Sequence, residues 1–187
     1  MAASRGEPHV SGTLVLEQRA ALEHVVGAEV AVASLAALPS SMKDEIIEAT
    51  ALSWVRIASL EALFAAAAER VGRDLGALHH EVARRAIERT MKTVFRLLMR
   101  VTTDEALISR APVMYAKTYD RGHMLARIVA PGSAQVEISD WPEMPDWPLR
   151  GVAIGIRTAL EIARRLDVRV RAERRADGAV FFATWKG

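Results

Sequence analysis

The sequence contains no cysteine, and this absence removes several classes of chemistry at once. Disulfides, zinc–thiolate sites, iron–sulfur clusters and a cysteine nucleophile are all excluded. No apolar run approaches the ~20 residues that a membrane span needs, because Glu61 and Glu69 bound the apolar stretch 62–68. Residues 1–8 lack the apolar centre of a secretory signal. We therefore expect a cytoplasmic protein that does not enter a membrane.

Excess charge of either sign is also lacking, since 25 basic residues nearly balance 23 acidic ones. A local basic run occurs near the end of the chain: Arg164, Arg165, Arg169, Arg171, Arg174 and Arg175. On a strand, alternate arginines of this run share the face opposite the valines, which is typical of a solvated sheet face. Nucleic-acid binding would require a basic stripe, a groove-entering helix or stacking aromatics. We predict no nucleic-acid partner.

The hydrophobic fraction of 51% over 187 residues supports a substantial core and one α+β domain, residues 1–187. Helical periodicity dominates residues 1–122, and a two-residue period follows from residue 123. The predicted helices are 13–26, 28–37, one from Ser40 or Ser41, 59–71, one long or two abutting helices over 74–101, 104–109 and 112–120. The predicted C-terminal part, 123–187, is strands 123–130 and 134–139, helix 149–166, and strands 168–174 and 179–185. This β-β-α-β-β order predicts a four-stranded antiparallel sheet.

Recognisable catalytic motifs are missing. The chain has no GxSxG, GxGxxG, GxxxxGK[ST] or HExxH pattern. Adjacent His79 and His80 would point about 100° apart on a helix, so we interpret both as solvated residues that share no metal. Gly151 and Gly155 lie four apart in a predicted helix, which suits either close packing or a ligand near the backbone. We predict no enzyme activity, metal or cofactor.

Segment 140–148 is unusual, with two tryptophans, three prolines and a methionine in nine residues. Proline stiffens a loop and tryptophan supplies a large apolar area. Two interpretations remain open: a loop folded over the core, or a lid or contact surface. In the second case we expect Trp141 and Trp147 to differ in burial, one anchored and the other partly accessible.

A resemblance to known families emerges from a series of ordered marks. The marks are Gly12, Ser53-Trp54-Val55, Gly72, Phe95-Arg96-Leu97-Leu98, Thr103-Asp104-Glu105, Ala111-Pro112, Tyr119-Asp120, Gly122, Gly151, Gly178 and Trp185. Their order resembles a paralogous family of myxobacterial proteins of unknown function. The C-terminal half also resembles the superfamily of haem–nitric oxide/oxygen-binding domains, vinyl-reductase-type ligand-binding domains and TRAPP subunits. That resemblance implies a helical part followed by β-β-α-β-β.

The chain departs from the haem-binding branch, whose motif is Tyr-x-Ser-x-Arg. Here Tyr115 is followed by Ala-Lys-Thr, and the cysteines of the vinyl-reductase type are absent. The step from Tyr119 to Gly122 into a strand is similar to that type. We therefore expect the scaffold without haem.

Three functions follow in order of preference. The first is a non-catalytic regulatory module that binds a small apolar ligand or a protein partner, the second a dimerising TRAPP-like scaffold, and the third an enzyme. The candidate contact residues are Trp141, Trp147, Tyr115, Tyr119, Gly151 and Gly155. A homodimer is expected because apolar side chains cover more than one helix face: Leu63, Phe64, 65–68, Phe95, Leu97, Leu98 and Met99.

Overall fold

The computed structural model describes residues 6–91 and 102–187. The N-terminal elements are β1 (His9–Ser11), α1 (Gly12–Val26), α2 (Ala28–Ala36), α3 (Ser40–Ile47), β2 (Trp54–Arg56), α4 (Ile57–Arg70) and α5 (Leu75–Met91). After residues 92–101 come α6 (Asp104–Thr118), β3 (His123–Ala130), β4 (Ser133–Ser139), α7 (Asp146–Ile162), β5 (Leu166–Arg175) and β6 (Gly178–Lys186).

The C-terminal elements form a four-stranded sheet in the order β3-β4-β6-β5, with every neighbouring pair antiparallel. Gly132 supplies the positive φ of 70° that the β3–β4 turn requires. Side chains alternate along β4, so that Ala134, Val136 and Ile138 are buried on one face. Helices α6 and α7 pack on the sheet, α6 against β3 and α7 mainly against β5. The predicted α+β class, the β-β-α-β-β order along the chain and the antiparallel sheet are confirmed, while the order of strands within the sheet was not predicted.

Three local features differ from the sequence expectation. Strands β1 and β2 pair as a small antiparallel sheet that was not predicted, since three residues are too few to show a two-residue period. Pro112 lies inside the continuous helix α6, where two helices were predicted. Helix α7 begins at Asp146 and takes in the end of the tryptophan-rich segment. The predicted helical continuation to Val101 lies outside the described residues.

One core cluster spans both parts of the described chain, with side chains from α1, α4, α5, α6, β4 and β6. Helix α5 lies between α1 and α7, which places its buried stripe at the centre of the molecule. On α4, Leu63, Phe64, Ala67 and Ala68 are buried within this core. They are therefore not free for a partner, whereas Ala65 is exposed and Ala66 half-buried. The remaining residues behind the dimer prediction, Phe95, Leu97, Leu98 and Met99, lie outside the described residues. In the described ranges no helix is both long enough and apolar enough to cross a bilayer.

Candidate functional site

The tryptophan-rich segment folds inwards. Trp141 is 2% exposed and Trp147 is 4% exposed, so the expected difference in burial is wrong. The backbone explains why, because Asp140 and Glu143 adopt positive φ values of 58° and 54° that turn the chain back on itself. The Trp141 amide then donates to the Asp177 carbonyl at 3.1 Å. This segment is a cover over the core whose two indoles both point inwards.

A buried histidine lies directly beneath Trp147. His79, on α5, is 1% exposed, and its ring stacks on the Trp147 ring with centroids 3.5 Å apart and planes 6° from parallel. Phe64 meets the Trp147 ring edge-on at 4.6 Å and the imidazole edge-on at 5.7 Å. The sequence interpretation of His79 as solvated is therefore wrong, while His80 is exposed as expected. The signal was present in the helical spacing, because His79 lies four residues after Leu75 and three before Val82.

The imidazole of His79 is electrically neutral and has unused hydrogen-bonding capacity. Burial lowers its pKa to about 3, and electrostatic interactions with Arg150 and His80 act in the same direction. Within the described part of the chain, neither Nδ1 nor Nε2 has a hydrogen-bond partner. A buried polar atom without a partner costs free energy, so folded proteins rarely keep one. His79 is therefore a buried residue whose presence packing alone does not explain.

Two tyrosine rings extend the cluster towards Trp141. Tyr119 contacts Tyr115 and Trp141, with centroid distances of 5.1 Å and 5.8 Å. The Tyr115 hydroxyl donates to the Arg121 carbonyl at 2.7 Å. Burial raises the pKa of both tyrosines, so both hydroxyls stay protonated and neither supplies a phenolate.

Gly151 joins the two groups of rings. A Cβ at this position would lie 2.9 Å from the Tyr119 hydroxyl oxygen and 3.9 Å from Cε1 of His79. The missing side chain therefore leaves space in which a hydroxyl and an imidazole edge converge on α7. We call Phe64, His79, Tyr115, Tyr119, Trp141 and Trp147 the aromatic cluster.

Five of the six candidate contact residues thus meet at one place, the exception being Gly155. A Cβ on Gly155 would meet no described atom within 4 Å. His79 and Phe64 belong to the site and were not among the candidates. Sequence reasoning missed both as site residues because they lie on α5 and α4, far along the chain from the tryptophans.

The polar groups of the cluster lack the pairing that activates a catalytic base. Its hydroxyls are protonated, and among the described residues no carboxylate hydrogen-bonds to the His79 imidazole to orient it as a base. Asp120, next to Tyr119, is turned away and pairs with Nδ1 of His9 at 2.8 Å. The polar cluster around Tyr119 and Asp120 that would have supported an enzyme does not form. No group of three or more acidic or histidine side chains in the described ranges could hold a metal ion.

A groove lies between α1, α2 and α4. This groove has a volume of about 280 Å³ and is mainly apolar. Its lining residues are Leu16, Arg19, Ala20, Leu22, Glu23, Ala31, Val32, Leu35 and Leu63. On α2 only Ser34 is fully buried, and Val32 is 67% exposed. The groove is separate from the aromatic cluster.

No protein-family model matches the chain, and no curated protein matches it either. Solved structures of H-NOX domains do match. An unliganded Fe(II) H-NOX variant from K. algicida has a TM-score of 0.69 at 10% identity, with 95% of this chain and 97% of that chain covered. An oxygen-binding H-NOX domain related to soluble guanylate cyclases has a TM-score of 0.66 at 16% identity, with 95% of each chain covered.

A third matching structure, described under the modulation of haem redox potential through protein-induced porphyrin distortion, has a TM-score of 0.65 at 17% identity, with 95% of this chain and 99% of that chain covered. The likeness runs through both the helical part and the sheet. At these identities the structural likeness is evidence for the fold alone, and function must be argued from the residues of the site. The chain has the fold of H-NOX domains.

Proposed function

We propose that the chain is a non-catalytic regulatory module in which the aromatic cluster is a closed binding site for a small apolar or amphipathic ligand. The observation that carries this proposal is His79, a neutral imidazole at the centre of the core with two unpartnered nitrogens. A ligand that supplies a hydrogen bond there would remove the cost of those atoms. The H-NOX fold supports a sensing role, since one matching structure is an oxygen-binding domain related to soluble guanylate cyclases.

Haem does not fit this site. A haem-sized group needs a pocket of several hundred Å³, whereas Phe64, His79 and Trp147 are in direct ring contact. One face of the only fully buried histidine in the described ranges is covered by an indole. The haem named for one of the matching H-NOX structures is therefore not carried over to this chain. We propose that ligand recognition here depends on the rings of the cluster.

A second candidate is the dimerising scaffold of TRAPP-like type. It is favoured by the groove between α1, α2 and α4 and by the exposure of α2. A cytoplasmic setting and membership of the myxobacterial family remain proposals beside it. The two functions make different demands, because the scaffold needs a second chain and the module needs a ligand.

Native mass spectrometry of the purified protein tests both candidates together. For the regulatory module we expect a 20.5 kDa species with a small adduct that is released on denaturation. His79→Phe, which keeps a ring but removes both nitrogens, should lose the adduct, and His80→Ala on the same helix should keep it. A ligand-free dimer that forms equally in wild type and in His79→Phe would contradict the module and favour the scaffold.

A further inference from the structure

We propose that Trp147 is an internal occupant of the ligand site, and that a planar aromatic or heteroaromatic ring with a polar substituent takes its place against His79. This inference rests on the proposed function and specifies its ligand class. It also assigns a lid, which consists of the segment before α7 together with the first turn of that helix, where Trp147 lies.

The surroundings of the Trp147 ring define the shape of the ligand. One face lies on the imidazole at 3.5 Å, and the Phe64 ring stands at 72° to it. A flat ring in this position would keep both the stacked and the edge-on contact, each of which stabilises aromatic pairs. A bulky saturated ring would be too thick for the stacked contact. The position therefore selects planarity.

The polar substituent follows from the direction of the free nitrogens. Nδ1 and Nε2 flank Cε1, and they point along the ring plane rather than towards the stacked indole. The Cε1 edge faces Gly151, where the Tyr119 hydroxyl also approaches. A donor or acceptor that extends past the edge of the ligand ring towards Gly151 would find both groups. Glycine keeps this path free of a side chain.

The lid is held by contacts at the surface. The Arg174 guanidinium donates to the Met144 carbonyl and pairs with Asp146, which also pairs with Arg150 at 3.2 Å. The side chains of Arg174 and Asp146 are 47% and 60% exposed, so water competes for these interactions. The cap residue of α7 is Pro145, and no side chain caps this end of the helix. Arg174 is therefore the clamp that holds Trp147 in place.

The test is a titration with indole, followed through the tryptophan Nε1–H signals in ¹⁵N–¹H NMR spectra and assigned with Trp147→Phe. We expect indole to move the Trp147 signal saturably and to leave Trp54 unchanged, while cyclohexanol, the non-planar control, has no effect. Arg174→Ala should tighten indole binding by up to about fivefold, the most that such an exposed ion pair contributes, because removing the clamp raises the population of the open state. Arg171→Ala, on the same strand, should bind as the wild type does.

Two outcomes would overturn the inference. If indole restores the thermal stability of Trp147→Gly but moves no signal in the wild type or in Arg174→Ala, the ring is fixed core. If the signals of other residues move and that of Trp147 does not, the ligand binds elsewhere. The second outcome leaves the regulatory module standing, whereas an absent ligand in native mass spectrometry removes the module itself.

Discussion

At the scale of single residues, His79 determines how the site is interpreted. Leu or Phe at this position would fill a similar volume without two unpartnered nitrogens. A histidine here therefore lowers the stability of the fold relative to either residue. Its ring is nevertheless well packed, with Trp147 on its face and Phe64 at its edge. A residue that is costly to fold and well placed for binding is typical of a functional site.

The pH dependence of stability should carry the signature of His79. The unfolded state takes up a proton near pH 6.5, but the folded state resists protonation until about pH 3. Below pH 6.5 the unfolded state therefore binds more protons, and stability falls as the pH is lowered. Between pH 6.5 and about pH 3, this effect lowers the free energy of unfolding by up to about 1.4 kcal/mol for each pH unit, and we expect His79→Phe to abolish it. Urea unfolding at pH 7.5, 6 and 5 measures the pH dependence of the free energy of unfolding. The control variant His80→Ala should keep the pH dependence of the wild type. Parallel profiles for His79→Phe and wild type would contradict a buried neutral imidazole.

The tryptophans should separate according to burial. Trp141→Ala and Trp147→Ala each remove a buried indole, and each should cost about 3–5 kcal/mol. Trp54 is 47% exposed, and Trp54→Ala should cost less than ~1 kcal/mol. Chemical denaturation of the three variants side by side measures these costs. A small loss for Trp147→Ala alone would mean that the lid opens freely in solution.

At the scale of elements, the two glycines of α7 offer a matched comparison. Gly155→Ala adds a methyl group in open space and should stabilise the helix by about 0.5–1 kcal/mol. Gly151→Ala would place its Cβ 2.9 Å from the Tyr119 hydroxyl, whose ring is fixed between Tyr115 and Trp141. We expect that variant to be less stable than wild type and to bind ligand more weakly. Equal shifts in melting temperature for both variants would contradict the close approach of the Tyr119 hydroxyl to Gly151.

The start of α6 is tied to the last strand by Asp104. Its carboxylate accepts from Arg165 Nε at 2.7 Å and from Trp185 Nε1 at 3.1 Å, at a helix N-terminus that favours negative charge. Asp104→Asn should cost roughly 1.5–3 kcal/mol, as for other hydrogen bonds to charged groups. Asp167→Asn, which weakens the pair with Lys186, should reduce stability much less, because water screens this fully exposed pair. If the two variants unfold at the same urea concentration, the Asp104 contacts carry no special weight.

The elements also show how far sequence alone reaches. The strands and the crossover helix can be predicted because each is a long segment with a clear period, as in the alternation of Val136 and Ile138. The candidate tryptophans and tyrosines could be named from composition. The site could not be completed, because His79 reaches Trp147 only through the packing of α5 on α7, a contact that joins residues 68 positions apart.

At the scale of the whole molecule, the fold of H-NOX domains is combined with an aromatic cluster in which Phe64, His79 and Trp147 are in direct ring contact. The helical part and the sheet share one hydrophobic cluster, and the aromatic cluster lies inside it. Any ligand that displaces Trp147 would therefore act on α5, α7 and the sheet together. Ligand binding in this position would therefore change how these elements pack on one another.

The presence or absence of haem tests the central claim most directly. The protein is produced with a haem precursor, purified, and examined by visible absorption before and after addition of hemin. A closed aromatic site predicts no Soret band that depends on His79, and identical spectra for wild type and His79→Phe. A stoichiometric Soret band that is lost in His79→Phe would contradict it, and would show that Trp147 yields to a haem bound by this imidazole.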